Sequence, residues 1–172
     1  IFTVDVATQD EMDIEIVQDP RYTEVIHEGL TSIPTLSLVT DDANLFGKHG
    51  IYTYGIGKGL EWERPLSVEY LDPNSDQQFQ IDAGVRVHGA DARNHVKKPL
   101  RLMFRSEYGE PTLNFPLFPD SPVTEFDKLI VRGGGHEAFT TPHSVQADSA
   151  TYIRDQFLRD TEKQMGQSST HG

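Results

Sequence analysis

The stretch "VRVHGADARNHVKKPLRLMFR", residues 85–105, sets Arg93, His95, Lys97 and Lys98 between two alternating runs, in a chain that is strongly acidic overall. Lysines on a strand beside a glycine turn can reach the phosphates of a nucleotide, as the glycine-rich loop and strand lysine of protein kinases do. Gly89 lies eight residues before Lys97. That is long for a tight hairpin but suits a loop that folds over a ligand. The other reading is a solvated hairpin tip with its lysines in water, and on the residues alone it is the more ordinary of the two.

The remaining chemical signals are weaker. "GIGKG", residues 55–59, lacks the GxxxxGK-Ser/Thr order of a P-loop and the strand–GxGxxG–helix setting of a dinucleotide loop. A hairpin turn is the expectation there, since glycine tolerates positive φ. "RGGGHEAFTTPHS", residues 132–144, offers His136, Glu137 and His143 to a metal, but without HExxH spacing, and its Gly and Pro favour a loop. "DPNSD", residues 72–76, lacks the DxDxDG order and distal glutamate of an EF-hand and reads as a solvated turn. No GxSxG elbow supports a serine triad. In "WERP" Trp62 and Arg64 are placed to stack.

Composition narrows the function classes. The 172 residues suffice for one domain with a real core, and 36% hydrophobic with 24% charged is an ordinary globular balance. Lys plus Arg total 15 against 27 Asp plus Glu, a formal net charge of -12. Nucleic-acid binders neutralise phosphates with excess Lys and Arg, so that class is disfavoured, as is an acidic membrane surface. With no cysteine, disulfides, cysteine-ligated zinc and a cysteine nucleophile are excluded. No apolar run approaches the roughly 18 residues of a spanning helix, and no signal peptide is visible. The chain opens at Ile1 rather than Met, so a processed form or a fragment is expected.

The elements that must position these residues follow from periodicity. "DPRYTEVIHEGL" suggests a short helix ending at Gly29, and "IPTLSLVT" a strand after a proline. Asp41 or Asp42 is placed to cap a turn into Leu45 and Phe46. Leu66, Val68 and Tyr70 alternate, as do Phe79, Ile81, Ala83, Val85 and Val87, with Gln80, Asp82, Arg86 and His88 on the opposite face. In the return strand Leu100, Leu102 and Phe104 face one way and Arg101, Met103 and Arg105 the other. A proline- and aromatic-rich loop spans Tyr108 to Pro122, and "FDKLIVR" forms a further strand. "DSATYIRDQFLRDTEKQMGQ" is the clearest helix: Asp148 or Ser149 as N-cap, Ile153, Phe157, Leu158, Thr161 and Met165 on one side, Gly166 at C′. Strands first and a long helix last imply an α+β fold, largely antiparallel.

Together, "GIYTYGIGKGLEWERPLSVEYLD", "FQIDAGVRVHGADARNHVKKPLRLMFRSEYG", "LNFPLFPD" and "YIRDQFLRDTEKQMGQSSTHG" resemble the CotH family, named for a spore coat protein, and above all its large secreted bacterial members. The similarity runs from about "EMDIEIVQDP" to the end. It implies an atypical protein-kinase-like fold whose parent uses ATP with Mg²⁺ or Mn²⁺ to phosphorylate serines of a protein substrate, in a secreted or cell-envelope setting. The family's Gly-then-Lys segment falls on Gly89, Ala92, Arg93, Lys97, Lys98 and Pro99. Ala92 and Pro99 stand where serines are usual. The resemblance assigns Lys97 to the nucleotide phosphates with Arg93 assisting, Gly89 and Lys98 beside them, and Arg132 of "LIVRGGGHE" as a second contributor. Family members carry metal-binding and catalytic aspartates past this helix, and nothing here matches them. The expectation is therefore a lead-in over residues 1–32, the N-terminal part of a CotH kinase-like domain over 33–172, and no catalysis by this piece alone. The alternative is a non-catalytic envelope or adhesion module that uses the same fold for protein contacts.

Overall fold

The structure, a computed structural model, describes residues 14–119, 121–134, 151 and 153–167. Its elements run α1 (Ile14–Val17), α2 (Ile26–Thr31), β1 (Thr35–Val39), α3 (Asp42–Phe46), β2 (Arg64–Leu71), β3 (Gln78–Val87), β4 (Leu100–Met103), β5 (Leu113–Asn114), β6 (Glu125–Phe126), β7 (Lys128–Val131) and α4 (Arg154–Gln164). The fold is α+β: a five-stranded sheet in the order β1-β2-β3-β4-β7, a two-stranded sheet β5-β6, and a C-terminal helix. β3 with β4, β4 with β7 and β5 with β6 pair antiparallel. Among the described residues no helix is long and apolar enough to cross a membrane.

The chain divides into two compact units, residues 1–37 with 69–80, and 38–68 with 81–172. In the first, Tyr70 and Phe79 stack with centroids 5.6 Å apart and planes 7° from parallel. The turn after Tyr70 is held by Asp72, whose carboxylate accepts from Asn74 N at 2.9 Å and Ser75 Oγ at 2.8 Å. "DPNSD" is thus a self-capped Asx turn. The helix expected to stop at Gly29 continues through it, because Gly29 N still donates to Val25 O at 2.8 Å. It ends where Thr31 Oγ1 and Ser32 Oγ return to the carbonyls of His27 and Gly29 and Pro34 follows.

In the second unit, alternation builds the core. Val68, Ala83, Val85, Val87 and Leu102 are all 4% exposed or less, joined by Ile51, Leu66, Phe104 and Leu113. Each fully buried Val or Leu contributes about 1.5–3 kcal/mol relative to exposure. Asp41 caps α3, accepting from Ala43 N at 2.7 Å, as its place in the sequence implied. The "GIGKG" glycines form a turn, but no strand precedes it. It leads through a 3₁₀ turn at Leu60–Trp62 into β2, so it is no hairpin. Arg64 does lie over the Trp62 ring, 5.8 Å from its centroid. The proline-rich loop contains β5, which pairs with β6. α4 ends at Gly166, φ +74°, whose N–H donates to Lys163 O at 2.9 Å. α4 begins only at Arg154, with Ile153 at its N-cap and no side-chain cap, so the helix starts later than a cap at Asp148 or Ser149 would have it. Those two residues and the trio His136, Glu137 and His143 lie outside the described residues.

Candidate functional site

Two arginines meet on one face of the sheet. In the β3–β4 register Arg86 is the Cα partner of Arg101, one step from Val87↔Leu100 and Val85↔Leu102, whose side chains take the opposite face. Like charges directly opposite in a ladder are destabilising, by roughly a few tenths of a kcal/mol to about 1. Both arginines line a cavity of about 220 Å³ together with Lys58, Gly59, Val87 and Arg93. All four charged side chains of that lining are cations, in a chain of net charge -12.

The pocket wall is built by two loops locked to each other. Arg93, in the 3₁₀ turn Asp91–Asn94, donates Nη1 to the carbonyls of Gly55 and Gly57 at 3.1 and 2.8 Å, and Nε to Gly89 O at 2.5 Å. Lys98 Nζ turns inward to Arg93 O and His95 O at 2.7 and 3.0 Å, 5.8 Å from the Tyr52 ring centroid. A Cβ on Gly55 would lie 2.6 Å from Arg93 O, and one on Gly57 only 2.1 Å from the Trp62 indole. Those glycines are there for close approach. Gly89, φ +91°, turns β3 into the loop. Burial, then the charges of Arg101 and Arg86, hold the Arg93 guanidinium below its ordinary value.

Two nitrogens of Arg101 stand differently. Its Nη2 lies 2.7 Å from His88 Nδ1. A guanidinium can only donate, so His88 accepts at Nδ1 and is the neutral, Nε2-protonated tautomer. Burial first, then Arg101 and Arg93, push the His88 pKa down, in agreement with that tautomer. Arg101 Nε is buried and makes no hydrogen bond to any described residue, a donor that awaits an acceptor.

Arg86 is steadied from its other side. Glu63, with its side chain 1% exposed, faces Arg86 Nε through Oε2 and Arg105 Nε through Oε1, both at 3.4 Å, and accepts from Tyr108 Oη at 3.1 Å. It packs over Gly84, where a Cβ would be 2.4 Å from Glu63 Oε1 and 2.6 Å from the Tyr108 ring. Burial and the Glu63 hydrogen bond push the Tyr108 hydroxyl up to about 12. One carboxylate shared by two guanidiniums leaves this group with a net positive charge.

The residues singled out in the sequence therefore separate. Arg93 lines the pocket, and Gly89 and Lys98 shape its loop. Lys97 is exposed and outside the lining, while its carbonyl abuts Gly133, where a Cβ would be 2.5 Å away. Arg132 is ion-paired with Asp155 of α4. Lys58, Arg86 and Arg101 were missed, although Arg86 and Arg101 sit on the polar faces that alternation had assigned. Comparison with family models, curated proteins and solved structures finds no match to this chain.

The lining suits phosphate: four cationic side chains around one cavity are what an anionic oxygen requires. The lining itself offers no carboxylate or imidazole to a divalent cation. Among the described residues no group of three or more His, Cys, Asp or Glu stands together to hold one.

Proposed function

We propose that this chain is the phosphate-holding part of a nucleotide site in a CotH-like, atypical kinase-type domain, whose parent transfers phosphate from ATP to a protein substrate at the cell surface or envelope. The observation that carries this reading is the opposition of Arg86 and Arg101 across β3 and β4 beside Arg93 and Lys58, a concentration of like charge whose mutual repulsion is a cost to the free fold. Within this reading the work given to Lys97 by the resemblance moves to Arg101, while Arg93 both lines the pocket and staples its loop. A binding module is the second reading, and one observation favours it. Ile153, Phe157, Leu158 and Met165 of the α4 region are all at least 59% exposed, a face suited to protein contact.

Calorimetric titration of ATP at low salt separates the two. The proposal expects Arg101→Gln to weaken ATP binding about tenfold or more and Lys97→Ala to leave it nearly unchanged. Equal loss in both variants would return the phosphate contact to Lys97. Failure of the parent chain to bind ATP would favour the binding module.

A further inference from the structure

We infer that this pocket takes a polyphosphate chain as a free polyanion, recognised through its phosphates and neutralised by side chains rather than by a divalent cation. The inference rests on the phosphate-binding reading above and departs from the Mg²⁺- or Mn²⁺-bound ATP that the family resemblance implies.

Size comes first. A cavity of about 220 Å³ is smaller than the roughly 300–1,000 Å³ of pockets that enclose whole small molecules. That volume suits linked phosphates, and a base and ribose attached to them would extend beyond the lining. Chemistry agrees with size. Base recognition calls for apolar or aromatic walls with a few placed acceptors and donors, whereas this lining is Lys58, Arg86, Arg93 and Arg101 with Gly59 and Val87. A lining of that kind reads charge and not base identity.

Charge then decides the form of the ligand. The groups that occupy Arg93 are backbone carbonyls, and the group that occupies Arg101 is a neutral imidazole, so neither cancels its cation's charge. Arg86 shares Glu63 with Arg105. A Mg²⁺ on the phosphates would lower the ligand's charge, compete with the guanidiniums for the same oxygens, and enter a field that repels it.

The test is calorimetric titration of the 172-residue chain with sodium tripolyphosphate, ATP, GTP and adenosine, each in EDTA and again with excess Mg²⁺. The inference expects the three triphosphates to agree within about fivefold in EDTA, adenosine not to bind, and Mg²⁺ to weaken or leave unchanged each affinity. Lys58→Ala, at an exposed side chain, and Arg101→Gln should lower tripolyphosphate and ATP affinity in parallel. A preference for ATP beyond about fivefold, or binding strengthened by Mg²⁺, overturns the inference and leaves the phosphate reading standing. If no triphosphate binds under either condition, the phosphate reading itself fails.

Discussion

Arg86 and Arg101 stand directly opposite one another across β3 and β4, and their side-chain partners differ in charge: Arg86 has the carboxylate of Glu63, Arg101 the neutral ring of His88. Arg101 is thus the less compensated of the two, and it should cost the free fold and serve the bound one. Arg101→Gln exchanges like-charge repulsion for the loss of a single hydrogen bond. Its unfolding free energy in urea should stay within about 1 kcal/mol of the parent. The stabilisation conferred by added ATP, which grows as RT ln(1 + [L]/Kd), should largely vanish. A large loss of stability with ATP stabilisation retained would mark Arg101 as structural.

Arg93 and Lys97 lie four residues apart and should behave oppositely in the fold. Arg93→Ala leaves the carbonyls of Gly55, Gly57 and Gly89 without their donor and should destabilise by about 1–3 kcal/mol. Lys97→Ala removes an exposed side chain and should change stability by no more than about 0.5 kcal/mol. Urea denaturation measures both.

Two glycines give opposite signs on substitution by alanine. At Gly84 the new methyl meets Glu63 Oε1 and the Tyr108 ring, and overpacking there should cost about 1–3 kcal/mol. At Gly29, inside α2, nothing lies within 4 Å of the added Cβ, and Gly29→Ala should stabilise by about 0.5–1 kcal/mol. Thermal or chemical denaturation of the pair checks both signs.

Stability should fall at both ends of the pH range. His88 is held below its ordinary 6.5, chiefly by burial and then by Arg101 and Arg93. The unfolded chain therefore takes up the proton first, so the contribution of neutral His88 is whole above about pH 6.5 and is lost as pH falls towards the lowered value. Tyr108 is raised from 10.0 to about 12. The contribution of its neutral phenol is whole below about pH 10 and is lost as pH rises from there to about 12. His88→Gln should flatten the acid limb of a stability–pH curve, and Tyr108→Phe the alkaline limb. Limbs that keep their slopes in these variants would refute the assignment.

Much of the fold was legible because alternation is a strong local signal. Leu66, Val68, Ala83, Val85, Val87 and Leu102 were all placed on core faces by period alone, and are buried. The site was less legible because it depends on register. Arg86 and Arg101 were each on a polar face, but a hairpin loop from His88 to Pro99 is too long to fix which residues pair. Only the ladder sets them opposite. The glycines of "GIGKG" suggest a hairpin turn, which does not form, whereas their role as carbonyl acceptors for Arg93 arises from a contact 36 residues away in sequence. Lys97 drew attention by charge, and charge alone does not say which lysine of "KK" turns inward. It is Lys98 that does so, onto Arg93 O and His95 O.

Contact between Arg101 and a bound anion should be reported most directly by the Arg101 side-chain N–H. Arg101 Nε is buried and without a hydrogen-bonding partner among the described residues. Titration of ¹⁵N-labelled chain with sodium tripolyphosphate, followed at the arginine Nε–Hε resonances and assigned through Arg101→Gln, should move the Arg101 signal downfield as it gains an acceptor. A saturable shift of that resonance is the predicted result. An Arg101 signal that stays in place while tripolyphosphate binds, as seen by calorimetry, would contradict the account.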